Sequence, residues 1–196
     1  MAIASLLPVE VSESTYYKFE RRSLLPQDSD FFWHIESGVV RTLTWQEDGT
    51  VIGLGLWSDG DIVGSALSSM NPYEMECLTN VKARILPRSE WHRVTEIMIQ
   101  HIKRSEQFLK ILRCKVTESS LLQLLNWLAN RFGREIEAGQ LIDLRLTHQD
   151  IAELIGTTRV TVTRTLNQLE RQGIISRQAH QLIVLPDRQP FWHYEI

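Results

Sequence analysis

A chain of 196 residues, 43% hydrophobic and 23% charged, with a formal net charge of −3, has the make-up of a folded protein with one large or two small cores. That charge excludes a histone-like, non-specific nucleic-acid binder, and no run approaches the roughly 18 apolar residues of a membrane span. Cys77 and Cys114 form no CxxC pair and are too few for a four-thiolate cluster, which argues against a disulfide framework, a zinc site or an iron–sulfur centre. The first residues lack the basic start and long apolar core of a signal peptide, so a cytoplasmic location without membrane contact is expected.

From residue 15 to about residue 88 the chain reads as short strands. Segments 15–19, 30–35, 39–45, Val51–Trp57 and 83–86 are rich in aromatic and β-branched side chains. Turn signals separate them: Pro26 to Asp28, Glu36 to Gly38, Gln46 to Gly49 and Ser58 to Asp61. Glu47-Asp48-Gly49 between two strands marks a hairpin. Such spacing predicts a barrel or jelly roll, with a plain ligand-free β-sandwich also open at this point.

Pro87 closes the strand region, and a helix is predicted over residues 89–113. Trp91, Thr95, Met98, Ile102, Ser105, Leu109 and Leu112 recur at alternating steps of four and three, the spacing of a coiled-coil seam. Lys103, Arg104, Glu106 and Lys110 fall mostly off it. The pattern assigns dimerisation to Met98, Ile102, Ser105, Leu109 and Leu112, with Phe108 left to pack on the β-domain. The alternative is that the same face packs on the β-domain and pairs with nothing. Residues 113–117 would form a hinge. A second helix over 119–132 carries five leucines and Trp127, and residues 134–145 fit a small hairpin.

Residues 146–173 read as two helices joined by a tight turn. Thr147 caps the first, with Asp150 completing a capping box. Ile151, Leu154 and Ile155 make its apolar side, and Gly156 tolerates the positive φ of a short turn. Thr157 or Thr158 caps the second helix, whose Val162, Leu166 and Leu169 face inward until Gly173 stops it. Its other face presents Val160, Thr163, Arg164 and Asn167, with Arg159 in the first turn. Arginine bonds guanine bidentately, asparagine bonds adenine, and Val or a Thr methyl meets the thymine methyl. The set favours a helix-turn-helix over an ordinary amphipathic hairpin. Strands at 174–176 and 182–185 would then form a wing whose tip brings Arg177 and His180 to phosphates. Charge agrees: residues 1–112 hold 11 basic and 15 acidic side chains, while residues 113–196 hold 10 and 9. Arg159, Arg164, Arg171 and Arg177 face Glu170 alone between residues 157 and 178, a local excess of three. So small a footprint implies reliance on dimerisation and base contacts.

With its elements in this order, the chain resembles the Crp/Fnr family of bacterial transcription regulators. The residues that carry the likeness are Ser37-Gly38-Val39-Val40-Arg41, Gly49, Gly60-Asp61 and Gly64, then Leu146 to Ala152, Gly156, Arg164 and Gly173-Ile174-Ile175. The phrase from Thr158 to Arg164 is especially similar to that of the family's cyanobacterial nitrogen regulators, with Val160 where the cyclic-AMP type has glutamate. The resemblance implies an α+β protein: an N-terminal antiparallel β-roll of the cupin-like jelly-roll kind, a long dimerisation helix and a C-terminal winged helix-turn-helix. The expected divisions are residues 1–88, 89–115 and 116–196.

The resemblance further implies a homodimer on palindromic double-stranded DNA with GTA-type half-sites about one helical turn apart, and RNA polymerase as a further partner. Arg159 and Arg164 would contact bases, Val160 a thymine methyl, and Thr147, Thr158 and Thr161 phosphates. Cyclic-nucleotide binders of the family carry an Arg-Ser or Arg-Thr pair after the Gly-Asp turn. Residues 64–77 here contain no Arg, and Glu74 and Glu76 would repel a phosphate. Cyclic nucleotides are therefore not expected. Arg41 and Arg84 suit an acidic effector such as 2-oxoglutarate and suit surface salt bridges equally; the effector stays unassigned, and a constitutive protein stays open. No cofactor or metal is expected. Two other readings compete: a cupin-like metal enzyme using His34, His92 or His101 with Glu74 or Glu76, and a protein-interaction module.

Overall fold

The computed structural model describes residues 16–178 and 181–185. Seven strands come first: β1 (Tyr16–Phe19), β2 (Phe31–Ser37), β3 (Val40–Trp45), β4 (Val51–Trp57), β5 (Ile62–Val63), β6 (Glu74–Cys77) and β7 (Val81–Pro87). They form two sheets, ordered β1-β7-β2-β5 and β4-β3-β6. A 3-10 helix over Arg88–Val94 leads into α1 (Thr95–Leu112), and α2 (Thr117–Phe132) follows. Hairpin β8 (Gly133–Ile136) and β9 (Gly139–Ile142) precedes α3 (His148–Ile155) and α4 (Arg159–Arg171). Strands β10 (Ile175–Gln178) and β11 (Gln181–Val184) close the described chain. The sequence expectation of a β-roll, a long helix and a winged helix-turn-helix is the observed fold. The chain divides into two compact units, one of residues 1–42 and 56–101, the other of residues 43–55 and 102–196.

In the first unit, β2 buries Phe32, Trp33 and Ile35, so apolar packing reaches both of its faces. Trp33 meets Tyr17, Phe19 and Phe31 edge-on at 5.2–5.3 Å and donates its indole N–H to the Pro26 carbonyl at 2.8 Å. Phe32, its neighbour on the opposite side, packs with Ile62, Leu86 and Val94. Trp91 stacks on Phe32 at 4.1 Å, and Met98 packs against the same cluster. These contacts explain a departure from the helix expected over residues 89–113. Holding Trp91 on Phe32 keeps residues 88–94 in the tighter 3-10 form, and α1 starts at Thr95.

Asp61 is fully buried and accepts the Ser58 N–H at 2.8 Å, so the Gly60-Asp61 phrase builds a turn. Cys77 is buried as well, and burial pushes its thiol up to about 11, which leaves it inert.

The second unit buries α2 through Leu121, Leu122, Leu124, Leu125, Leu128 and Ala129. Strands β10-β11-β9-β8 form one antiparallel sheet, so the expected hairpin and wing are continuous. The same unit holds the β3–β4 turn. A Cβ at Gly53 would stand 2.8 Å from the Leu154 side chain and 3.1 Å from its Cα, a close approach to α3 that only glycine permits.

Candidate nucleic-acid interface

Two caps fix where the helices of the motif begin. Thr147 Oγ1 accepts the Asp150 N–H at 3.0 Å and donates to Asp150 Oδ2 at 2.8 Å. The Thr147 N–H donates to that same oxygen at 2.8 Å, completing the expected box. Gly156 ends α3 in the left-handed conformation at φ 67°. Thr158 then caps α4, accepting the Thr161 N–H at 3.1 Å, and the two hydroxyls lie 2.9 Å apart. The candidate phosphate contacts Thr147, Thr158 and Thr161 therefore also build the helix starts.

Val162, Leu166 and Leu169 are fully buried, which turns the opposite side of α4 outward. There Val160 is 78% exposed, more than any other large hydrophobic residue described. An aliphatic side chain so uncovered has no role in the core. Arg159, Val160, Thr163, Arg164, Asn167 and Arg171 line a concave surface of about 480 Å³. The guanidinium groups of Arg159 and Arg164 are neither hydrogen-bonded nor ion-paired to another described residue. The face thus offers two uncommitted guanidinium forks flanking one methyl-bearing residue. That combination suits the edges of base pairs in a major groove.

Arg177 is next to last in β10, and its side chain turns back to α4. Its Nη2 donates to Asn167 Oδ1 at 2.9 Å, and its Nε stands 3.6 Å from Glu170 Oε2. Arg171 Nε donates to the Asn167 backbone carbonyl at 3.2 Å. Arg177 thus holds the oxygen of the Asn167 amide, whose nitrogen carries two N–H donors. His180, the other residue expected at the tip, and the aromatic tail of residues 191–196 lie outside the described residues. Sequence reasoning missed His148, whose Nδ1 lies 2.7 Å from Thr163 Oγ1 across the two helices.

Residues considered for an effector are committed within the first unit. Arg41, 8% exposed, donates its Nε to Glu76 Oε2 at 2.6 Å, and Arg22 Nη1 reaches the other oxygen at 3.1 Å. Arg84 Nε and His34 Nδ1 both meet Glu36 Oε1, at 3.0 and 2.9 Å. Among the described residues, no three His, Cys, Asp or Glu side chains converge as metal ligands would. No described helix is long and apolar enough to cross a membrane.

On α1, the residues given to dimerisation part company. Ile102 and Leu109 are 59% and 57% exposed, and Leu112 and Ser105 are exposed beside them. Met98 is half-buried against the Phe32 cluster, and exposed Ile99 stands next to it.

Residues 119–191 match the family model of the Crp-like helix-turn-helix domain. The regulatory protein CysR of Synechococcus elongatus is 44% identical over 169 residues, 84% of this chain and 81% of that protein. The global nitrogen regulator of the same organism is 28% identical over 197 residues, 91% of this chain and 86% of that protein. The corresponding regulator of a Nostoc species reaches 40% over 83 residues, 42% of this chain and 37% of its own. A crystal structure of a CRP-family transcriptional regulator from Thermus thermophilus superposes with a TM-score of 0.75 at 22% identity, covering 87% of this chain and 92% of that one. These likenesses replace the enzyme alternative with a regulator's identity. The chain belongs to the Crp/Fnr family of DNA-binding transcription regulators.

Proposed function

We propose that the protein works as a cytoplasmic homodimer that reads a palindromic site with GTA-type half-sites and acts on RNA polymerase. One observation carries the base-reading part: the outward face of α4, where Arg159 and Arg164 are uncommitted and Val160 is 78% exposed. Arg159 and Arg164 bond bases, Val160 meets a thymine methyl, and Thr163 and Asn167 extend the readout. Thr147, Thr158 and Thr161 lie at the two helix starts, where phosphates are favoured. Arg177 supports Asn167 from the wing. Exposed Ile102, Leu109 and Leu112 on α1 support a dimer seam, with Ser105 between them and Met98 at its inner edge. Residues 1–88 would serve as the sensory part, 89–115 as the dimerisation part and 116–196 as the DNA-binding part.

The ion pairs of Arg41 with Glu76 and Arg84 with Glu36 favour a first unit that is constitutive or answers to an effector other than a carboxylate or phosphate. An acidic ligand would have to displace a carboxylate already in contact. Systematic selection of bound DNA tests the reading. The expected product is a symmetric GTA…TAC site, and Arg164→Ala should weaken it by about 1–3 kcal/mol per half-site. Selection of a TGTGA-type half-site, or unchanged specificity in that variant, would overturn it.

A further inference from the structure

The contact between His148 on α3 and Thr163 on α4 has a single assignment of its protons. His148 Nδ1 and Thr163 Oγ1 are 2.7 Å apart. Thr163 Oγ1 is also 2.9 Å from the carbonyl oxygen of Arg159, one turn back in α4. A carbonyl only accepts, so the one hydroxyl hydrogen of Thr163 is used there. Nδ1 must then be the donor to Thr163. Burial, with Arg177 and Arg159 close by, lowers the pKa of His148, in keeping with a neutral ring whose proton sits on Nδ1.

The consequence lies at the outward face, which Thr163 helps to line. A threonine in a helix divides between two χ1 rotamers, because its hydroxyl can bond the carbonyl a turn back in one of them. His148 donates to that rotamer and so selects it. The oxygen is then turned to protein partners on two sides, and the methyl is the branch left over. Thr163 keeps one lone pair and has no hydrogen to give.

We propose that His148 is a positioning residue for base readout, holding Thr163 as a reader that offers a methyl and a lone pair but no donor. The proposal rests on α4 being the helix that reads bases. Such a side chain fits the thymine methyl, or an amino hydrogen of adenine or cytosine. Guanine presents only the acceptors N7 and O6 in the major groove, so it is disfavoured at the base facing Thr163.

Selection of bound DNA by the full chain, read as a base preference at each position, tests this. Thr163→Ala identifies the position that Thr163 faces. His148→Gln is expected to raise guanine acceptance there about tenfold, the size of one good base discrimination, and to leave other positions unchanged. His148→Asn, whose amide nitrogen stands near the place of Nδ1, keeps the original preference. Thr163→Val puts a methyl in place without a hydroxyl and excludes guanine even beside His148→Gln. His148 is half-exposed, so its replacements should fold, and melting temperatures of all variants check it.

A uniform loss of affinity across all sequences in His148→Gln overturns the proposal, as does a preference identical to that of the unaltered protein. Rescue by Gln but not by Asn also overturns it, since that would mark Nε2 as a phosphate contact. If the unaltered protein selects no motif, base reading by α4 itself fails, an outcome distinct from a motif indifferent to His148.

Discussion

His101 of α1 lies flat on Trp57 of β4, with ring centroids 3.7 Å apart and planes 2° from parallel. The Trp57 indole N–H is held by Thr42 Oγ1 at 3.0 Å, so the surface under the imidazole is fixed. Burial lowers the pKa of His101 from its ordinary 6.5, and a backbone hydrogen bond involving Ile62 opposes the shift without reversing it. The unfolded chain therefore takes up this proton at a higher pH than the folded one. The stability tied to the neutral ring is complete above about pH 6.5 and is lost as pH falls through the lower folded value. Urea midpoints should fall between about pH 7.5 and about pH 5. They should fall less in His101→Phe, which keeps a flat ring on Trp57 and cannot protonate. Equal slopes for the two proteins would remove His101 as the source.

Glu76 is the shared anion of Arg41 and Arg22. Removing it leaves the Arg41 guanidinium, with a side chain 10% exposed, without its carboxylate. Glu76→Ala should cost about 3 kcal/mol, because it breaks a largely buried ion pair by removing one side of it. Pairing Glu76→Ala with Arg41→Met should recover much of that loss, since neither charge is then buried. Denaturation of the single and double variants measures both. A single variant as stable as the parent would show that Arg41 is satisfied without Glu76.

Val160 separates folding from recognition. At 78% exposure its replacement by Glu should change stability by no more than about 0.5 kcal/mol. Loss of the thymine-methyl contact should nonetheless weaken a GTA-type site roughly tenfold and shift preference toward cytosine, whose amino group glutamate accepts. Thermal melting and DNA titration on one preparation read both effects. A large fall in melting temperature would mean that Val160 is part of a core.

Ile102 and Leu109 provide the test of the dimer. Both are more than half exposed in the single chain, so Ile102→Glu with Leu109→Glu should leave its fold intact. If these residues form a seam, two carboxylates per chain facing their copies should abolish pairing. Sedimentation should then report a monomer, and DNA affinity should drop by more than about a hundredfold as one half-site is lost. A double variant that remains a dimer would place the seam elsewhere.

How far the sequence reached depended on the range of the interactions involved. The capping box of Thr147 and Asp150, the Gly156 turn and the Thr158 cap close within a few residues and appear as expected. The strand over Val51–Trp57 was legible to the residue, because alternation and the Gly49 and Ser58 turns are local signals. Strands β5 and β6 were not. Ile62–Val63 is too short to show a period, and the carboxylate of Glu76 in Glu74–Cys77 finds its partners Arg22 and Arg41 only from afar. The heptad spacing of Trp91 and Met98 matches a seam, yet Trp91 stacks on Phe32 and Met98 packs against the cluster around it, contacts that spacing alone does not show.

By itself the sequence determined the order of elements, the family and the outward chemistry of α4, since helical period and caps place side chains without reference to the rest of the chain. Only the tertiary structure decided which charges are spent. Arg41 with Glu76, Arg84 with Glu36, Arg177 with Asn167 and His148 with Thr163 are separated by 35, 48, 10 and 15 residues. No periodicity links such partners, because their meeting depends on how sheets and helices pack. Among the described residues, that packing leaves Arg159 and Arg164 uncommitted and ties Arg41, Arg84 and Arg177 to partners within the protein.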